Sequence, residues 1–112
     1  MRGSVNVPGP GVAKMATGSY TGSGGDQTLT FDFSPKMVVI SAVLEATSIA
    51  ASFVKSVVIK GQVYEVVQVG EEDPEVVFLT WQGKSLTLYK GDHGEHALGR
   101  EDKTYKFFAI GE

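Results

Sequence analysis

From Ala16 onward the apolar residues recur with a period of two, in short runs cut by turn residues, and this limits the fold more than any other feature of the chain. In residues 27–33, Leu29, Phe31 and Phe33 alternate with Thr28, Thr30 and Asp32, the pattern of a strand with one buried and one wet face. Ser34-Pro35 marks a corner. Residues 37–44 are then nearly continuous in apolar and β-branched side chains, as in a strand covered on both faces, by the core on one side and a neighbouring subunit on the other. Residues 53–60 and 62–69 read as a hairpin turning at Gly61, with the break in alternation at Val66-Val67 marking a bulge. An acidic turn (70–75), a strand (76–81), a turn at Gln82-Gly83-Lys84, a strand around Leu86 and Leu88, a polar loop (91–100) and a closing strand (103–110) follow. Residues 45–51 form the one helix-compatible patch, but it is short and carries β-branched Thr47 and Ile49, so it reads as a loop or single turn. About eight short strands at close turn spacing predict an all-β protein, an antiparallel β-sandwich.

At 112 residues the chain makes one domain. Hydrophobic content of 42% with 21% charge is that of a globular protein, and a net charge of -3 argues against nucleic acid or anionic membrane as partner. The absence of cysteine excludes disulfides and thiolate metal sites. Residues 1–15 differ from the rest. Pro8 and Pro10 lack amide donors, Gly9 and Gly11 add flexibility, and only Val5, Val7 and Val12 offer apolar side chains for burial. The expected organisation is a docking arm over residues 1–15, seated on another subunit or protein, and a knob over residues 16–112. The same Gly and Pro residues leave no apolar core of signal-peptide length, and no apolar run approaches the roughly 20 residues of a membrane helix, so a soluble protein without membrane insertion is expected.

Asp92-His93-Gly94-Glu95-His96 brings two imidazoles and two carboxylates into five residues. The histidines stand at i and i+3 with Gly94 between them, whereas the helical zinc motif needs i and i+4, so the cluster reads as a solvated or receptor-facing loop and no metal is expected. Glu71, Glu72, Asp73 and Glu75 lack the alternation that wraps calcium. Nucleophilic catalysis is not expected either, because there is no cysteine, no G-x-S-x-G elbow, and both histidines share one loop. The glycines of residues 18–25 are followed by neither a helix nor a G-K-[ST] ending, so they read as a tight connection rather than a phosphate loop. No cofactor and no enzymatic activity are expected. Phe31, Phe33, Phe53, Phe107 and Phe108 are assigned to the core. An exposed ring beside polar residues can stack on a pyranose while its neighbours bond the hydroxyls. On that ground Trp81 with Gln82 and Lys84, and Tyr89 with Asp92, His93 and His96, are the candidate ligand-binding residues.

Three segments carry a resemblance: Gly18-Ser-Tyr-Thr-Gly-Ser-Gly-Gly25, then Phe33-Ser-Pro-Lys-Met-Val-Val39, then Tyr105-Lys-Phe-Phe-Ala109. Their wording, G-Y-x-G-x-G, an F-x-P-K-x-V-V corner and a Tyr-aromatic-Ala closing strand, resembles a module found at phage tail-fibre tips and in related virion surface proteins. The resemblance covers about residues 16–112. It implies a homotrimer on the surface of a virion or tail-like particle, at tail, baseplate or capsid exterior, assembled in the host cytoplasm. Residues 1–15, through Val5, Val7, Pro8, Pro10 and Val12, would dock on other virion structural proteins, and the knob would recognise a bacterial surface glycan. The alternative is a capsid decoration, cement or head-fibre protein with a purely structural role. A tail fibre carries such a module behind a long shaft, whereas here only the Gly/Pro arm precedes it, so a short knob is expected.

Overall fold

The structure, a computed structural model, describes residues 13–45, 51–70, 73–90 and 97–112. The arm residues Val5, Val7, Pro8, Pro10 and Val12, the centre of the helix-compatible patch, and Asp92, His93 and His96 lie outside the described residues. Among the described residues there are eight strands and no helix: β1 (Lys14–Thr21), β2 (Gln27–Thr30), β3 (Pro35–Glu45), β4 (Ala51–Ile59), β5 (Tyr64–Val67), β6 (Glu75–Gln82), β7 (Ser85–Lys90) and β8 (Thr104–Gly111). They form two four-stranded antiparallel sheets, sheet A in the order β1-β8-β3-β4 and sheet B in the order β2-β7-β6-β5.

Alternation decides which side chains meet between the sheets. Val38, Ile40, Ala42 and Leu44 of β3, Val54 and Val58 of β4, and Tyr105 and Ala109 of β8 are buried from sheet A. Leu29, Val67, Val77, Leu79, Leu86 and Leu88 are buried from sheet B, and all these residues belong to one core. Phe31 and Phe33 follow β2 as buried residues rather than extending it, and Phe31 meets the Phe107 ring edge-on at 5.5 Å. The chain enters sheet A earlier than the glycine-rich wording suggests, because residues 14–21 pair with β8 along their whole length.

Several expectations are corrected. Residues 53–69 are not a hairpin: β4 pairs with β3 in sheet A, and β5 pairs with β6 in sheet B. Gly61 does turn the chain, at φ 99°, and Gln62 Oε1 accepts the Ile59 amide at 3.1 Å. The turn carries the chain between sheets, with the Val63 carbonyl accepting the Leu79 amide at 2.8 Å. Val66-Val67 is no bulge, since the β5–β6 register is unbroken; Val67 is buried and Val66 faces out. Phe53 is 67% exposed, and Phe108, opposite Val39 in the register, is half-buried on the outer face of sheet A. The end of the loop read as polar is not wet: Ala97, Leu98, Gly99 and Arg100 are buried.

That buried segment closes one end of the molecule. The Tyr20 and Tyr105 rings stack with centroids 5.1 Å apart and 8° between their planes. Tyr20 Oη donates to the Leu98 carbonyl at 2.7 Å, and Tyr105 Oη donates to the Ala97 carbonyl at 2.9 Å while accepting the Arg100 amide at 3.0 Å. Burial, reinforced by Tyr105, holds the Tyr20 phenol well above its ordinary range. Below about pH 10 both the native and unfolded phenol keep the proton, and this contribution to stability is complete. Above that pH the unfolded chain releases a proton the native state retains, so stability falls by about 1.4 kcal/mol per pH unit for this group. Urea melts from pH 8 to 11 are expected to show that decline, and Tyr20→Phe should make it shallower. An identical slope in the variant would exclude Tyr20 as its source.

Candidate functional site

The residues named from sequence do not come together. Trp81 lies on the same side of β6 as Val77 and Leu79, packs against the core, and donates Nε1–H to the Gln62 carbonyl at 3.0 Å. Tyr89 sits opposite Phe78 on β7, on the outer face of sheet B. The two rings therefore occupy opposite faces of one sheet. Gln82 and Lys84 are exposed at the β6–β7 turn, where Gly83 adopts φ 57° and the Lys84 carbonyl accepts the Phe31 amide at 2.9 Å. Asp92, His93 and His96 fall outside the described residues; within them no three His, Cys, Asp or Glu side chains cluster.

What the fold does build is two contrasting outer faces. On sheet A, the register aligns Met15, Ile110, Met37 and Ile59 in one row across all four strands, and Thr17, Phe108, Val39 and Val57 in the next. Met15 is 68% and Ile59 56% exposed. A row of Ser19, Lys106, Ser41 and Lys55 follows, and beyond it Val43 and Phe53 pair again as exposed apolar residues. A shallow groove of about 490 Å³ runs over Ser41, Val43, Phe53, Thr104 and Lys106. The β4 strand also forms an edge of sheet A, so its backbone groups on one side have no ladder partner within the sheet. Monomers seldom expose contiguous apolar patches beyond a few hundred Å², and a long apolar edge strand compounds the problem.

The outer face of sheet B has a different chemistry. Tyr64, Phe78 and Tyr89 stand directly opposite one another on β5, β6 and β7 and form a three-ring row. On one side of it Val66 opposes Val76. On the other side come Thr80, Thr87 and Thr28, then Gln82, Ser85 and Thr30. Thr28 and Thr87 share a hydroxyl hydrogen bond at 3.0 Å, and Thr30 and Ser85 one at 3.3 Å. In a chain with 21% charged residues, none of these outward-facing strand positions is charged.

Phe78, Thr80 and Thr87 were not singled out in the sequence, although a signal was present. With Leu86 and Leu88 facing in, Tyr89 has to face out, and the apolar run of residues 76–79 resembles that of residues 37–44 in offering apolar side chains to both faces. Compared with protein-family models, curated proteins and solved structures, the chain matches none.

Proposed function

We propose that this chain is a structural protein of a bacteriophage or phage-like particle: a short β-knob on the virion surface, held to other virion proteins by residues 1–15 and turned toward the host. The observation that carries the proposal is where the resembling segments lie. The first four residues of the Gly18–Gly25 segment, the strand after the F-x-P-K corner, and the Tyr-aromatic-Ala strand lie in β1, β3 and β8, three adjacent strands of sheet A. Tyr20 of the first segment stacks on Tyr105 of the last. The wording thus describes one packed unit, and the outer face of that unit is the apolar one. A homotrimer formed through this face would cover Met15, Ile59 and Val57 and protect the β4 edge.

Immunogold labelling of particles induced from the organism that encodes the chain is expected to place it at the tail, baseplate or capsid exterior; purified particles lacking the protein would refute the assignment. The oligomer has its own test. By light scattering the purified chain is expected to be trimeric at micromolar concentration. Val57→Glu with Ile59→Glu, which would strand two carboxylates in the interface, should weaken association by more than about tenfold without unfolding the exposed face. A parent protein that is already monomeric would remove the proposed role of sheet A. The purely structural alternative, capsid decoration, requires only this face. Host recognition requires a second surface.

A further inference from the structure

We infer that the outer face of sheet B is a binding platform for a neutral polysaccharide, whose chain lies across the strands along the Tyr64–Phe78–Tyr89 row. This rests on the reading of the knob as outward-facing and assigns the recognition to a sheet face rather than to the loops. Neighbouring strands stand about 4.8 Å apart, so three rings aligned in register make an apolar track roughly 10 Å long. None of the three strand pairings in sheet B shifts register, which keeps the track evenly spaced. Tyr64 is 54% and Phe78 42% exposed, leaving ring surface open to a ligand.

The class of occupant follows from what borders the track. A pyranose has an apolar face of C–H groups and an equator of hydroxyls. Here the rings would meet the first, and the Thr80–Thr87–Thr28 row would meet the second. Each threonine hydroxyl has one donor and two acceptor positions, so the lateral Thr28–Thr87 bond leaves capacity for a ligand. A second copy of this chain is a poorer occupant, because packing a protein surface here would bury two polar rows along with the ring row and the Val66–Val76 pair. Sheet A, with two successive rows that are almost wholly apolar, suits a protein partner better. A polyanionic glycan is disfavoured by the lack of any Lys or Arg among the outward-facing strand positions of sheet B.

The test is affinity electrophoresis of the full chain through gels containing hydroxyethylcellulose, laminarin, galactomannan or dextran, with alginate and hyaluronate as polyanionic arms, backed by a bacterial glycan array. Retardation by at least one neutral polysaccharide is expected, with Phe78→Ala and Tyr64→Ala each weakening it about tenfold at an unchanged thermal midpoint. Retardation by the polyanions alone, retardation unaffected by both variants, or silence across gels and array would overturn the inference. So would a parent oligomer that either variant converts to monomer, since the face would then be a subunit contact. Because the assay uses purified protein, its failure leaves immunogold localisation on the particle standing, and absence from particles leaves polysaccharide binding standing.

Discussion

Gly22→Ala is expected to destabilise the protein by about 3 kcal/mol or more, while Gly25→Ala three residues later is neutral or slightly stabilising. A Cβ at Gly22 would fall 2.1 Å from the Arg100 carbonyl oxygen and 2.5 Å from the Gly99 carbonyl carbon, and both obstacles are backbone. Neither can rotate away. The segment is held in place from both sides: the Gly22 amide donates to the Lys103 carbonyl at 2.8 Å, the Asp102 amide donates to the Gly22 carbonyl at 3.0 Å, and the Gly24 amide donates to the Gly99 carbonyl at 2.8 Å. Relief of the clash would have to break these bonds or displace Arg100 from its buried site. At Gly25 a Cβ would meet nothing within 4 Å, and φ there is not positive. Alanine at that position only restricts the unfolded chain. Urea melts followed by fluorescence of Trp81, the single tryptophan, measure both. Equal losses at the two positions would mean that the glycines act through chain flexibility, and the close-approach account would fail.

The contrast shows where local reading succeeds. In residues 27–30 threonines alternate with an inward leucine, so the strand and its wet face are both legible. Residues 37–44 and 76–79 are harder, because apolar side chains occupy both faces and a period-two pattern cannot then say which face is the core. Phe53 and Phe78 are open to misreading in the same way, as each lies on a face that the described residues leave exposed. The β4–β5 crossover was illegible locally. Gly61 turns a chain equally well within a sheet or between sheets, and the choice was made by β3 and β6, the partners with which those strands pair. Burial of residues 97–100 is likewise nonlocal, since the Leu98 carbonyl receives its bond from Tyr20, 78 residues earlier. The candidate ligand residues divide in the same way. Tyr89 stands on the outer face opposite Phe78, whereas Trp81 beside polar neighbours is a core-side residue whose N–H is already used.

The ion pair at the closed end should produce the second large effect. Glu75→Ala is expected to cost about 3 kcal/mol, because it takes a carboxylate from beside an Arg100 guanidinium whose side chain is only 6% exposed. Arg100 Nη2 and Glu75 Oε2 stand 3.5 Å apart, and Glu75 is itself only 11% exposed. The pair ties the segment preceding β8 of sheet A to the first residue of β6 in sheet B, so it clamps the sheets where Tyr20 and Tyr105 also converge. Most of the expected loss is the cost of keeping a guanidinium buried with less compensation rather than the net worth of the bond, because two desolvated ions recover little more from each other than water gave them. The double variant Glu75→Leu with Arg100→Met separates these terms. It removes both charges while keeping apolar volume, and it should recover at least half of the loss seen in Glu75→Ala. If the double variant were no more stable than Glu75→Ala, the pair itself would be holding the sheets together. The end of the sandwich would then depend on attraction between charges more than on the packing of Tyr20, Tyr105 and Leu98.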